Sequence, residues 1–225
     1  MEPTAQNVAW VDERLAEEYG RQEQKSRPGP LDDLIKTILS QNTSDVNSRR
    51  AYASLRERFD TWEDVRTVEA EEIAEAIRSG GLANQKSRRI QRVLNWLHEN
   101  YDSLDIEWIC REDPYKMIDL FTGIKGIGVK TISIVLCFSC HKNIFPVDTH
   151  VNRVCRRLGL SPKNATPTKT FWIMDDLVPD GEARTLHLNV IRHGRTVCTA
   201  RNPGCEQCVL LPQCNYGKVQ MQDKS

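Results

Sequence analysis

Residues 121–140 read FTGIKGIGVKTISIVLCFSC, and this stretch decides the fold class. An apolar-x-Gly-apolar-Gly turn, from Ile124 to Gly128, lies between two segments with helical spacing. Glycines allow a sharp turn, and the bare N–H groups that begin the next helix bind phosphate through hydrogen bonds and the helix dipole. The stretch therefore predicts two helices joined by a hairpin that could hold a nucleic-acid backbone without reading its bases. A Gly-x-Gly turn alone is a weak signal, because many tight helix–helix turns share it.

The segments on either side of the hairpin have the same periodicity. Apolar residues recur at helical spacing in four further segments, residues 31–40, 68–79, 90–97 and 185–192. Asp113-Pro114 and Asp148-Thr149 are typical helix starts. No convincing run of residues alternates with a period of two, so a sheet-based fold is not expected. The predicted fold class is all-α.

Composition excludes several classes of protein. The chain has 225 residues, of which 39% are hydrophobic, and its mean hydropathy is −0.53. No apolar run approaches the roughly 20 residues that a membrane-spanning helix needs. The aromatic residues argue against a disordered chain, and the acidic, polar N-terminus is no signal peptide. We expect a soluble, intracellular, globular protein.

The net charge is zero, but the charges are unevenly distributed. The 31 basic residues balance 31 acidic ones. Basic residues without acids predominate in residues 84–95 and 149–172, and a third basic group lies in residues 184–201, whereas residues 60–75 are acidic. This pattern fits either a molecule with one positive face or ordinary solvated helix faces.

Eight cysteines in a chain of this kind indicate a metal site or catalysis before disulfides. Four of them are spaced C-x6-C-x2-C-x5-C, at Cys198, Cys205, Cys208 and Cys214. A single C-x-x-C pair flanked by lone cysteines favours an iron–sulfur cubane over the two separated pairs that are usual for structural zinc, although zinc stays open. The other four are expected to be buried core thiols: Cys110, Cys137, Cys140 and Cys155.

Lys130 and Asp148 are the candidate reactive groups. Lys130 lies in the first turn of the helix after the hairpin, where the helix dipole disfavours a cation. It is therefore either a solvated surface lysine, which these residues alone favour, or an amine that is neutral part of the time and can form a Schiff base. Asp148 is either a plain helix cap or an anion that stabilises a developing sugar cation.

Taken together, the motifs resemble one family. IKGIGVKT, VDTHVNRVCRRLGL, HGRTVC and the four-cysteine pattern occur in the order and spacing of the endonuclease III family, the iron–sulfur DNA glycosylase/lyases of the helix-hairpin-helix, Gly/Pro-Asp superfamily. The resemblance runs from about residue 30 to residue 214. It implies a 4Fe–4S cluster on the four cysteines, and it implies that Lys130 is a nucleophile.

The resemblance also implies an architecture and a set of site residues. Two helical lobes would flank a DNA cleft: a six-helix lobe of residues 31–145, and a cluster lobe of residues 1–30 and 146–225. Lys130 and Asp148 match the catalytic pair. The matching DNA-binding positions are Gln41, Asn42, Leu82, Gly126, Ile127, Gly128 and His150.

The chain departs from the family pattern at several places. Asn42 stands where the family has Gln, and the Gln lies one position earlier, at Gln41, so either residue could fill the space left by a flipped base. Lys125 replaces a usual Pro in the hairpin. The cluster loop offers only Arg201, balanced by Glu206, and residues 108–115 form a longer connection than usual.

The implied function is base excision repair by a bifunctional glycosylase and AP lyase that removes oxidised pyrimidines through a Lys130 Schiff base and β-elimination. Two alternatives stay open: a monofunctional mismatch glycosylase acting on thymine, uracil or adenine, and a non-catalytic iron–sulfur DNA-binding module. The expected partner is duplex DNA with a damaged base or abasic site. We expect no membrane association, a monomer, and a prokaryotic cytoplasmic protein held at the nucleoid by its DNA.

Overall fold

The computed structural model describes residues 1–22 and 29–222. Twelve α-helices and no β-strand lie within these residues, which confirms the all-α prediction. The helices are α1 Ala5–Tyr19, α2 Pro30–Ser40, α3 Asp45–Arg58, α4 Trp62–Thr67, α5 Ala70–Ala76, α6 Ala83–Tyr101, α7 Pro114–Thr122, α8 Val129–Phe138, α9 Thr149–Leu158, α10 Pro167–Met174, α11 Ala183–Thr196 and α12 Asn215–Gln222. The chain folds into two compact units, one of residues 27–141 and one of residues 1–26 with 142–225.

The first unit, residues 27–141, contains α2 to α8. Helix α2 is central to it and packs against α3, α6 and α8. Its apolar residues Leu34, Ile35 and Ile38 are fully buried, as their spacing on one helix face requires. Asp113 caps α7 by accepting a hydrogen bond from the Lys116 N–H at 2.9 Å, so the predicted helix start is confirmed. α7 then packs on α8 across the hairpin.

The second unit contains α1 and α9 to α12. Helix α11 packs against both α1 and α9. The predicted start of α9 is confirmed, because Asp148 Oδ1 accepts the Val151 N–H at 2.7 Å. The segment before it is fixed by Asp175, a buried carboxylate that accepts the Phe145 N–H at 2.6 Å.

A disulfide corrects one expectation about the cysteines. Cys137 and Cys155 are buried and take no part in a disulfide, as predicted for core thiols. Cys110 and Cys140, however, are bonded to each other rather than lying as separate core thiols. The bond joins the 3-10 turn Glu107–Cys110, in the long connection before α7, to the end of α8. Cysteine spacing does not reveal pairing, because 30 residues separate the two.

No helix in the described ranges combines the length and the apolar character that crossing a membrane would require.

Candidate active site and cysteine centre

The hairpin between α7 and α8 is anchored by two buried isoleucines. Ile124 and Ile127 are each 4% exposed, and the Ile127 N–H donates to the Ile124 carbonyl at 2.9 Å. Gly128 then caps α8 with an extended backbone and no side-chain hydrogen bond. A Cβ added at Gly128 would meet no atom within 4 Å. The turn therefore presents its glycine-rich backbone outward while its apolar side chains hold it to the core.

Two arginines of helix α6 contact this turn. Gly126 has φ +103°, and a Cβ added there would lie 2.4 Å from Arg89 Nε. Arg92 donates to the Lys125 carbonyl at 2.8 Å. The backbone conformation therefore favours glycine at 126, and a side chain there would also have to displace the Arg89 side chain. Sequence spacing did not reveal these contacts, because the arginines of α6 fitted a charged outer face equally well.

The basic group in residues 84–95 is only partly solvated. Lys86 is 2% exposed, and Arg89 is half-buried. Arg88 is exposed and lies 3.9 Å from Glu71. Lys86 is therefore buried and does not contribute to a positive face, contrary to the one-face interpretation of this group. Arg92, like Arg88, is exposed.

Lys130 is half-buried in the first turn of α8, two residues after Gly128. A carboxylate that no sequence motif marks lies in its electrostatic field. Asp33 of α2 accepts a hydrogen bond from Ser139 Oγ at 2.9 Å. Burial raises the pKa of Asp33, whereas the Ser139 hydrogen bond and the charges of Lys36 and Lys130 act to lower it.

Gln41 and Asn42 have different surroundings although they are neighbours. Gln41 Nε2 donates to Thr131 Oγ1 at 3.2 Å, and Arg89 donates to Gln41 Oε1. The Gln41 side chain thus links α6 to α8. Asn42 is exposed, with a left-handed backbone of φ 52°. Leu82, at the other predicted insertion position, is 48% exposed with φ 50°.

Asp148 and His150 lie at the beginning of α9 in the second unit. His150 Nδ1 lies 3.1 Å from an Arg153 nitrogen, and Arg153 also donates to the Gly194 carbonyl at 2.7 Å. A Cβ at Gly194 would lie 3.2 Å from His150 Cβ. The glycine of HGRTVC therefore lets α11 approach α9 closely, next to the predicted DNA-contacting histidine.

The four cysteines Cys198, Cys205, Cys208 and Cys214 line one small cavity. Two of them receive N–H donors: Arg157 lies 3.3 Å from Cys198 Sγ, and Gly217 N lies 3.3 Å from Cys214 Sγ. His193 Nε2 lies 3.4 Å from Cys208 Sγ, and burial raises the pKa of Cys208 to about 11. In residues 1–22 and 29–222, no three His, Cys, Asp or Glu side chains converge as ligands of a single metal ion would.

The comparisons with known proteins agree with this fold. The family model described as "HhH-GPD superfamily base excision DNA repair protein" matches residues 35–180. The chain therefore belongs to that superfamily. It is 37% identical over 193 residues to endonuclease III of Sulfolobus acidocaldarius, covering 81% of this chain and 80% of that protein. It is 38% identical over 183 residues to a candidate DNA glycosylase of Arabidopsis thaliana, covering 81% of this chain but 61% of the plant protein's length. The solved structure of a trapped endonuclease III–DNA covalent intermediate superposes with a TM-score of 0.82 and 28% identity, covering 97% of this chain and 99% of that one.

Proposed function

We propose that the chain is a bifunctional DNA glycosylase and AP lyase of base excision repair that removes oxidised pyrimidines from duplex DNA. The observation that carries this proposal is Lys130, an amine in the first turn of the helix that the Gly-x-Gly hairpin begins. The hairpin amides hold a phosphate of the damaged strand, so that a flipped nucleotide and the amine meet. The superfamily assignment and the similarity to endonuclease III support the same chemistry.

The reaction proceeds through the neutral form of Lys130. Its Nζ attacks C1′ of the damaged nucleotide, the bond from C1′ to the base nitrogen breaks, and the base leaves with the electron pair and takes up a proton. Opening of the sugar ring leaves an iminium between Nζ and C1′. Loss of a C2′ proton then expels the 3′ phosphate, and water hydrolyses the iminium to free the lysine. Asp148 supplies the negative charge that stabilises the sugar cation.

Borohydride trapping tests this proposal. Hydride reduces the iminium to a stable amine, so the intact protein is expected to form a covalent adduct with a duplex that contains one oxidised pyrimidine. Lys130→Ala is expected to form none, whereas the matched control Lys116→Ala, which removes an exposed lysine of α7, keeps the adduct. Base release without an adduct would instead indicate a monofunctional glycosylase. Neither product on oxidised, mismatched or abasic DNA would indicate the binding module.

Asn42, rather than Gln41, is the residue proposed to fill the space left by the flipped base. Both side-chain ends of Gln41 are bonded to protein groups, Arg89 and Thr131. Asn42 is exposed, and Asn tolerates the left-handed backbone that it adopts. Leu82 is the apolar wedge, and His150 completes the set of inserting and contacting residues.

Cys198, Cys205, Cys208 and Cys214 are proposed to hold a 4Fe–4S cluster. The four cysteines line one small cavity, and their single C-x-x-C pair flanked by lone cysteines favours a cubane over the two separated pairs that are usual for structural zinc. The donors at Cys198 and Cys214 fit thiolate ligands. Arg157 of α9, His193 of α11 and Gly217 of α12 lie against these cysteines, so a bound cluster would have a structural role and tie the loop to these helices. Iron and sulfide analysis with a visible absorption spectrum tests it, and colourless protein with one zinc per chain would overturn it.

The remaining assignments follow from the same proposal. The proposed lobes remain residues 31–145 for the hairpin and residues 1–30 with 146–225 for the cluster, and the division of the chain into two compact units supports them. The chain acts as a monomer on damaged duplex DNA. Its relatives include proteins of an archaeon and of a plant, so a prokaryotic cytoplasmic location stays a prediction.

A further inference from the structure

Lys86 is a buried cation with no carboxylate partner in the described part of the chain. It lies in the first turn and a half of α6 and is 2% exposed. Its Nζ donates to the Leu39 carbonyl at 2.7 Å and to the Gly80 carbonyl at 2.8 Å. Burial lowers the pKa of Lys86, and the charge of Arg89 lowers it further. A buried charge is costly unless its surroundings compensate it, so the position calls for an explanation.

The two carbonyls supply that compensation. Leu39 is the penultimate residue of α2, and Gly80 ends the 3-10 turn Arg78–Gly80. Carbonyls at helix ends lack partners within the helix, and they lie at the negative end of the dipole, where a cation is stabilised. The ammonium group of Lys86 therefore satisfies the ends of two separate segments at once.

Each of these segments leads directly into a proposed DNA-inserting residue. Leu39 precedes Asn42 by three residues, and Gly80 precedes Leu82 by two. Asn42 and Leu82 both have left-handed backbones, at φ 52° and φ 50°, a conformation that Asn tolerates but that is uncommon for Leu. Both side chains are exposed, whereas the segment that leads into each turn is held from within the unit by the Lys86 ammonium group.

We propose that Lys86 is a positioning residue that fixes the two turns to each other, so that Asn42 and Leu82 enter the DNA as a pair with a set spacing. This inference rests on the proposed function, in which those two residues replace a flipped nucleotide. Lys86 itself contacts neither DNA nor the reacting atoms. It acts through the carbonyls of Leu39 and Gly80.

The variant that tests the inference is Lys86→Met, which retains most of the side-chain volume and removes both hydrogen bonds. Amide hydrogen exchange on the free protein provides the first measurement. Faster exchange in both turns, residues 41–43 and 80–83, with the hairpin amides unchanged, is expected. Loosening of one turn alone, or of the whole of α6, would overturn the coupling. Lys116→Met, which removes an exposed lysine of the same unit, is the matched control.

Single-turnover kinetics provides the second measurement. Excision of a paired oxidised pyrimidine needs base extrusion, whereas nicking at a preformed abasic site has no base to extrude. Lys86→Met is expected to slow excision by about tenfold or more and abasic nicking by less than about threefold. The reason is that only excision of a paired base depends on Asn42 and Leu82 entering the DNA together. Equal losses on both substrates would mean a general structural role and would overturn the proposal.

A double-mutant cycle with Leu82→Ala separates positioning from packing. If Lys86 acts through the Leu82 turn, the double variant is expected to be little slower than Leu82→Ala alone. Additive losses would contradict the inference. Should Lys86→Met fail to fold, Lys86→Gln retains a donating NH2 group on a shorter side chain and is expected to give an intermediate ratio of excision to nicking. An intact protein that is inactive on both substrates would refute the proposed function, and the exchange measurement would still decide whether Lys86 couples the turns.

Discussion

Gly126 is the hairpin residue least able to accept a side chain. A Cβ at this position would both strain a backbone at φ +103° and displace Arg89, which would in turn release Gln41. We predict that Gly126→Ala lowers the free energy of unfolding by about 2–4 kcal/mol. Gly128→Ala serves as the matched control, because its backbone is extended and its surroundings are open; thermal or urea unfolding should show a loss below about 1 kcal/mol there. Equal losses in the two variants would contradict this account of the turn.

Substitution of Asn42 is expected to affect activity, whereas substitution of Gln41 is expected to affect stability. Asn42→Gly keeps the left-handed backbone without strain and deletes only an exposed side chain. We expect it to reduce excision of a paired base by about tenfold with the melting temperature unchanged. Gln41→Ala breaks the link from Arg89 to Thr131 and is expected to lower stability by about 1–2 kcal/mol. Comparison of melting temperatures and excision rates for the two variants checks the assignment, and the reverse pattern would assign insertion to Gln41.

We predict that Asp33 gives the first unit a pH-dependent stability. Because burial raises its pKa above the unfolded value of 3.8, the folded state holds the proton more tightly than the unfolded state does. Its unfavourable contribution is therefore absent at pH values below the unfolded pKa and grows as the pH rises through the folded pKa. Asp33→Asn is expected to raise the melting temperature at pH 7 and to lose this advantage as the pH falls towards 4. Melting curves of both proteins across that range test the sign, and a variant less stable at pH 7 would show that the Ser139 bond to a charged acceptor and the charges of Lys36 and Lys130 together outweigh burial.

At the scale of elements, the disulfide closes the segment that contains α7, the hairpin and α8. For the 30-residue separation of Cys110 and Cys140, the chain-entropy argument gives a stabilisation of about 3–4 kcal/mol. We predict that the double variant Cys110→Ser, Cys140→Ser loses an amount of this order in denaturant unfolding. Substitution is preferable to a reductant, since it leaves the four clustered cysteines untouched. Unchanged stability would show that packing of α7 on α8 alone closes this segment.

Helix α6 shows how far periodicity carries from sequence to structure, and where it stops. The apolar stripe at Ile90, Val93 and Leu97 is buried as predicted. Lys86 lies four residues before Ile90 and therefore on the same stripe, so its burial was readable from the pattern, although its charge placed it with the basic group. The contact of Arg89 with Gly126 could not be read in this way. It joins residues 37 positions apart, and local spacing carries no information about such approaches.

At the scale of the whole molecule, features that depend on local interactions could be predicted from the sequence, and features that depend on distant contacts could not. Helix starts at Asp113 and Asp148 and the hairpin between α7 and α8 depend on interactions within a few residues, and they are confirmed. The catalytic and inserting roles stay predictions, because they depend on DNA. The disulfide and the surroundings of Gln41 depend on tertiary contacts, which motif spacing does not determine.

Duplex binding is expected to weaken steeply with salt even though the net charge of the chain is zero. Each phosphate contact contributes about −0.9 to the slope of log affinity against log salt, so a few contacts give a slope steeper than about −3. The structure indicates which cations can contribute phosphate contacts. Arg92 is exposed beside the hairpin, where it donates to the Lys125 carbonyl. Arg92→Ala should therefore make the slope less negative by about 0.9, the contribution of one phosphate contact. Lys86→Met should leave the slope unchanged, because a buried amine releases no counterions. Fluorescence anisotropy titrations on an undamaged duplex at several salt concentrations measure all three slopes, and a slope near zero for the intact protein would exclude the electrostatic account of binding.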